Sequence, residues 1–378
     1  MRRELLIPRP DWPQRMQDVG FHFHSIDGVY WDESACYRLS RDEVDQLEDA
    51  SAELHRLCMA AAGEVIGKRR YAEFAIPDAA VGLIERSWRA GEPTLFGRFD
   101  LAWDGQGPPK LLEYNADTPT ALIEASIAQW YWMNAVRPGA DQFNSLHEKL
   151  IARWRSIAAD KNLTDLHLTC MGESEEDVGN LDYMADVAMQ AGLTPHFIDI
   201  GRIGWSAAGK RFVDEADRPI AALFKLYPWE WMVREEFGAH VASSDTLIIE
   251  PAWKMILSNK AILPVLWELF PDHPNLLPAA REPGRITGAV VKKPLLSREG
   301  ANISLSATDR DCATDGPYGA EGFVWQRYHA IPDLSGTGGN HMVIGAWMVG
   351  DEPAGIGIRE DATVITRDTS RFVPHYFE

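Results

Sequence analysis

Apolar residues recur along the chain in two rhythms. Over residues 40–66, Val44, Leu47, Leu54, Leu57 and Ala61 fall at helical spacing, and Ser40 with Glu43 forms the S-x-x-E box that caps a helix start. The pattern predicts a helix there. From 94 to 115 the period drops to two. The runs TLFGRFDLAWD and KLLEYNAD flank the turn-rich GQGPP, which predicts a β-hairpin. A further helix is expected over 119–134, with Pro119 in its first turn.

The middle of the chain has another style. A predicted helix at 144–158 precedes the apolar strand LHLTCM; the acidic GESEED then leads into a predicted helix at 177–191, and TPHFIDI is the next strand. Strand–helix–strand order predicts a small inserted α/β lobe. FVDEADRPIAALFKLY reads as two strands around an acidic turn, and PWEWMVREEFG as a short helix. In the last third, SNKAILPVLWELF reads as a helix, AVVKKP as a strand and LLSREGANI as a loop. FVWQRYHAI, HMVIGAWMVG and AGIGIRED read as strands, the last two joined at DEP. The closing SRFVPHYF is too apolar for a free tail and is expected to pack on the body. The expected organisation is α+β: an N-terminal region over 1–150 that carries the hairpin, an inserted lobe over 151–250, and a last lobe over 251–378.

Composition changes this picture little. A chain of 378 residues with 46% hydrophobic content exceeds one small domain, and no Gly/Ser-rich linker separates its lobes. A net charge of −19 repels phosphate backbones, so nucleic acid is not an expected partner. An acidic surface attracts cations such as polyamines, and it is also the ordinary state of many cytoplasmic enzymes. Cys36, Cys58, Cys170 and Cys312 are scattered with no C-x-x-C pair, so neither a zinc site nor a redox motif is expected. No apolar run suits a signal peptide or a membrane span, which makes the cytoplasm the expected compartment. Trp130 with Trp132 and Trp229 with Trp231 are spaced for packing rather than ligand stacking.

The candidate chemistry lies in three places. On the first hairpin strand Arg98 and Asp100 share a face, as do Glu113 and Asn115 on the second. If the register sets the polar faces together, two carboxylates and an amide converge beside an arginine. Magnesium takes such oxygen ligands together with substrate phosphates, and the planar fork of Arg98 suits a phosphate. The same spacing also allows a solvent-facing hairpin with an Arg–Asp pair, although two like charges on one face repel without a cation. Lys293 ends the apolar run AVVKKP, where a strand can aim an ammonium at a phosphate, and the SREGAN that follows can fold over phosphates. It is not a Walker loop, and no G-x-G-x-x-G is present. Lys260 opens or precedes a helix. Each lysine taken singly is equally a solvated side chain. Gln326 sits among apolar neighbours in FVWQRYHAI, a segment that either presents its backbone to an adenine edge or is an ordinary strand. Arg359 ends the strand GIGIR, placed to meet a phosphoryl or oxyanion charge or to pair with a nearby acid. Glu230, Glu235 and Glu236 are candidate amine ligands or plain helix-surface acids.

Taken in order, GRFDLAWD, LLEYNADTPT, SNKAILPVLWELFP, VVKKPLLSREGANI and GIGIRED resemble the synthetase part of the glutathionylspermidine synthase family, up to about residue 376. The resemblance implies an ATP-grasp fold with a pre-ATP-grasp-like N-terminal region, the last lobe holding the nucleotide. It implies ATP and magnesium as cofactors, and an acid and an amine as small-molecule substrates. Asp100, Glu113 and Asn115 would hold the metal, and Arg98 would contact phosphate. Lys260 and Lys293 would bind phosphates and nucleotide, and Glu299 would lie in a closing loop, 294–303. Gln326 to His329 would form the adenine hinge, Val364 would pack near the base, and Arg359 would serve the closing segment. Full-length members carry an amidase domain ahead of the synthetase; this chain begins without one, so no hydrolytic half-reaction is expected. The implied activity is amide-bond formation through an acyl phosphate. Two other readings compete with it. One is an ATP-binding regulatory protein with slow hydrolysis. The other is a magnesium hydrolase without ATP, which leaves Lys260, Lys293 and the hinge idle.

Overall fold

The computed structural model describes residues 1–26, 28–307, 310–367 and 370–378. At its centre is a five-stranded antiparallel sheet in the order Arg371–Val373, Glu352–Asp361, His341–Val349, Phe96–Ala102 and Lys110–Asn115. Every residue of Phe96–Ala102 is buried, because helices cover both faces. On one face Leu47, Leu54, Leu57 and Ala61 of the helix Arg41–Gly67 pack with Phe99, Leu101, Ile344, Ala346 and Ile356. On the other, Phe96, Trp347 and Val349 pack with Trp132, Leu150 and Trp154 from the helices Gln129–Val136 and Leu146–Lys161. Alternation along each strand splits its side chains between these two cores. The capping box of Ser40 and Glu43 forms with both of its hydrogen bonds.

A second antiparallel sheet runs Ala279–Ala280, Phe323–Arg327, Val290–Pro294, Ser304–Ala307 and Arg310–Ala313. A third sheet is wholly parallel: Leu247–Ile249, Ala222–Lys225, Asp165–Thr169 and Thr194–Phe197. The helix Glu175–Gln190 makes the crossover between its last two strands, which is the small α/β lobe the pattern predicts. A three-stranded sheet joins Arg2–Leu5, Ala35–Leu39 and His375–Phe377, so the apolar tail is packed, with Tyr376 and Phe377 buried.

The structure departs from the sequence expectations at four places. The hairpin pairs directly with His341–Val349, so residues from 1–150 and from 251–378 share one sheet. The helix expected over 258–270 starts later, at Ile262–Leu269, with a separate turn at Lys254–Leu257 ahead of it. Asn259 makes the break, its Oδ1 accepting the Ala261 N–H and its amide donating to Phe74 O. The 119–134 helix starts later, with a wide turn at Glu124–Ala128 that leads into Gln129–Val136, and leaves Pro119 ahead of it. The last hairpin turns at Gly350 and Asp351, while Glu352 and Pro353 are already in the strand, at a bulge facing Met348.

Candidate active site

The hairpin register sets Asp100 opposite Glu113 and Arg98 opposite Asn115, with a bulge immediately after Asp100. The neighbouring strands add Val343 and Arg359, which are partners of each other, to the same face. Gly345 lies opposite Asp100, and a Cβ there would stand 2.8 Å from the Arg98 Cδ. The missing side chain is what lets Arg98 lie across the sheet.

The two carboxylates are held differently. Asp100 accepts Arg98 Nε at 2.8 Å through Oδ1 and Arg359 Nη2 at 2.8 Å through Oδ2. Arg98 also donates to Thr120 O at 2.6 Å. Glu113 faces Lys260 Nζ at 3.0 Å, and the Asn115 amide donates to it at 3.4 Å. Burial pushes the Glu113 carboxyl up, but Lys260 and Lys293 outweigh it and hold the group down at about 2. Lys293 is lowered to about 8 by burial and by Lys260, against the pull of Glu113.

Lys293 reaches from the second sheet to the first. Its Nζ donates to Leu112 O at 3.0 Å and to Gln326 Oε1 at 2.8 Å, and the Gln326 amide donates to Leu111 O at 3.0 Å. The side chain of Gln326 therefore clamps the lysine between the sheets, a contact that an expectation based on its backbone did not contain. Lys260 sits in the break before Ile262–Leu269 and donates to Ser297 O at 2.8 Å, which anchors the 295–303 loop. Within that loop Glu299, Gly300 and Asn302 are left-handed, at φ 55°, 69° and 54°. Gly300 packs so closely on Thr366 O that a Cβ would stand 2.4 Å away. Only glycine meets both demands at that position.

All these groups line one cavity of about 410 Å³, which also takes in His329, Val364, Ile365 and Val291. Arg98, Asp100, Glu113, Asn115, Lys260, Lys293, Glu299, Gln326, His329, Val364 and Arg359 are brought together there from five separate stretches of chain. Burial, with Lys110 nearby, lowers the affinity of His329 for a proton. Arg98, Lys260, Lys293, Arg298, Arg327 and Arg359 outnumber Asp100, Glu113, Asp177 and Glu299 in the lining, although the chain as a whole carries −19. Among the described residues no three His, Cys, Asp or Glu side chains gather as a metal cluster. A site of two carboxylates and an amide instead suits magnesium, a hard ion that fills its shell with water and phosphate. Each carboxylate has about four lone-pair sites, so Asp100 and Glu113 can serve a cation while keeping their basic partners.

On the far wall the sequence pattern singles out Glu230 but not Arg298. Arg298 donates to Thr118 Oγ1 at 2.8 Å and to Glu230 Oε1 at 3.2 Å and lies over the Trp231 ring. Glu230 is thus engaged by an arginine, and Glu235 by the hydroxyl of Tyr227. Trp231 lines the cavity, Trp132 and Trp229 are buried, and Trp130 is half exposed, so the two Trp pairs do not behave alike. Asp177, at the start of the helix Glu175–Gln190, also lines the cavity; burial and Glu176 push it up to about 6. The visible signal for this wall is the adjacency of Arg298 and Glu299 in the polar loop that follows the apolar strand AVVKKP. Cys36, Cys58 and Cys170 are buried and all four cysteines are free. No described helix is long and apolar enough to cross a membrane.

Comparison with known proteins identifies the family. Residues 3–378 match the profile of the glutathionylspermidine synthase preATP-grasp family. A Haemophilus influenzae protein described as a candidate acid–amine ligase is 42% identical, with all of both chains covered. Crithidia fasciculata trypanothione synthetase is 27% identical over 85% of this chain and 53% of its own length. The bifunctional glutathionylspermidine synthetase/amidase of Escherichia coli is 26% identical over 89% of this chain and 58% of its own length. Among solved structures, a glutathione synthetase-like effector of Globodera pallida in its apo form matches in fold, with a TM-score of 0.56 at 10% identity over 99% of this chain and all of the other. Matched over nearly its whole length, the chain belongs to the glutathionylspermidine synthase family and is a ligase of that family.

Proposed function

We propose that this ligase joins a carboxylic acid to an amine at the expense of ATP, with the nucleotide held between the two five-stranded sheets in the ATP-grasp manner. The observation that carries the reading is the concentration of cations around two facing carboxylates in a chain of net charge −19. Such a lining suits a polyanionic nucleotide and repels the bulk of other partners far less than the acidic exterior does. Asp100, Glu113 and Asn115 would hold a magnesium ion, whose charge screens the phosphates. Lys293, steadied by Gln326, and Lys260 face the same phosphates. Arg98 and Arg359 stabilise charge on the transferring γ-phosphoryl group, which gives them the catalytic role. His329 and Val364 line the base end, and Glu299 belongs to the loop that shuts over the site.

The chemistry follows from the poor electrophilicity of a carboxylate. Transfer of the γ-phosphoryl group to it releases ADP and leaves an acyl phosphate. A neutral amine then attacks the acyl carbon and expels phosphate, so one ADP and one phosphate appear per amide. Acyl phosphates hydrolyse, so the 294–303 loop must exclude water during the second step. A peptide-like acid and a polyamine are the substrate class that the named relatives support. Four unpaired cysteines support a reducing compartment, the cytoplasm.

The test is an ADP-release screen of peptide-like acids against amines, with Asp100→Ala as the blank. Amine-dependent ADP with equimolar amide is the expected result. ADP release that no acid or amine stimulates would leave an ATP-binding regulator as the better reading.

A further inference from the structure

Asp117 stands two residues beyond Asn115, and its side chain is closed off from solvent. Lys225 Nζ donates to its Oδ1 at 2.6 Å, and the backbone N–H of Trp229 donates to its Oδ2 at 2.9 Å. Both charged groups are buried, Asp117 at 3% exposure and Lys225 at 0%. The Lys225 ammonium also lies 4.9 Å from the centre of the Trp229 ring. One carboxylate thus joins the exit of the hairpin, the last residue of a strand of the parallel sheet, and the start of the Trp229–Met232 turn.

Both groups that hold Arg298 grow from this node. Thr118, which accepts Arg298 Nη1, is the next residue after Asp117. Glu230, which accepts Nη2, and Trp231, whose ring lies under the guanidinium, follow Trp229 directly. The Nε of Arg298 is buried with no hydrogen-bond partner, so the guanidinium is held at its Nη atoms alone, at the edge of the cavity it lines. The nucleotide-facing groups, Lys293 and Gln326, are tied instead to the backbone of Leu111 and Leu112, at the start of the strand whose exit leads to Asp117.

We propose that the buried Asp117–Lys225 pair is a positioning device for ligation: it fixes Thr118 and the Trp229–Trp231 turn as a two-sided seat for Arg298, and thereby sets the acid and amine end of the cavity independently of the nucleotide end. The proposal rests on the ligase reading. A purely structural ion pair would lower stability and move every kinetic constant together. A positioning pair moves the constants of one end only.

The test compares the parent, the charge-neutral double variant Asp117→Asn/Lys225→Met, and Glu230→Gln, which leaves the node intact. Two readouts are used: trypsin cleavage of the folded full chain at the Arg298–Glu299 bond, mapped by mass, and KM values from ADP release with glutathione and spermidine as probes. The expected result is cleavage at least tenfold faster in both variants. KM for glutathione or spermidine rises about tenfold, and KM for ATP stays within twofold of the parent. A folded double variant with parental cleavage and parental KM values overturns the proposal. Should the double variant not fold, parental cleavage in Glu230→Gln overturns it equally. A parent that makes no ADP with any acid–amine pair sinks the ligase reading alone, while the cleavage comparison still decides whether the pair seats Arg298.

Discussion

The hairpin face and the Asp117 wall use the same residue types to opposite ends. On the hairpin face charges are shared many to many: Asp100 between two arginines, Glu113 between Lys260 and the field of Lys293. All of them border the cavity, so a ligand can take over one partner without stranding another. At the wall one aspartate meets one lysine, with side chains 2% and 0% exposed. Removing either leaves a buried charge with no counter-ion, which costs far more than the pair itself contributes. The number of partners that share each charge, more than residue identity, separates a site that exchanges partners from a joint that does not.

That contrast can be broken from the side of chemistry first. Asp100→Ala takes the shared acceptor from Arg98 and Arg359, and amine-dependent ADP release is expected to fall on the order of 10²- to 10³-fold or more. Its melting temperature should fall less than that of a variant of the wall pair, because Arg98, though buried, borders the cavity and keeps Thr120 O as an acceptor. The wall is expected to respond in the reverse sense. Lys225→Met strands Asp117 and should cost about 3–5 kcal/mol in urea unfolding, with most of the loss recovered when Asp117→Asn is added. Equal stability loss in Asp100→Ala and Lys225→Met would erase the distinction between the two regions.

A gentler probe is pH. The Glu113 carboxyl is held at about 2, below its unfolded value, so its contribution to stability is full above about pH 4.5 and lost as pH falls toward 2. The gap in melting temperature between the parent and Glu113→Gln should therefore be constant near neutrality and close as pH falls through that window. A gap that does not change with pH would mean that the lysines do not hold Glu113 ionised. The smallest effect is expected from Gly345→Ala, whose new Cβ meets the flexible Arg98 side chain at 2.8 Å. A stability change of about 1 kcal/mol with a several-fold loss in ADP release would show that Arg98 is placed by the space left for it. An unchanged rate would show that it is placed by Asp100 and Thr120 alone.

Much of the hairpin was legible before folding. Period-two alternation fixed which of its residues share a face, and GQGPP marked the turn. The inserted lobe was legible for the same kind of reason, since local periodicity distinguishes a strand from a helix. Lys260 was legible as a residue that opens or precedes a helix, but SNKAILPVLWELF did not show that the helix begins only at Ile262, behind a turn made by the Asn259 side chain. The role of Gln326 was equally hidden, because a lone polar residue in an apolar strand does not announce that it will meet a lysine 33 positions earlier. Arg298 was overlooked beside its neighbours, since its partners Thr118 and Glu230 lie far away in sequence.

By itself the sequence determined the local elements, the facing of Asp100, Glu113 and Asn115 along their strands, and, through the order of its motifs, the family. Tertiary structure alone decided that Arg359 would reach Asp100, that Lys293 would bridge two sheets, and that Asp117 would be sealed against Lys225. The physical reason is range. Alternation and capping are set by neighbours a few residues apart, whereas a charge in a low-dielectric interior is settled by whichever group the packing of distant segments brings within about 3 Å.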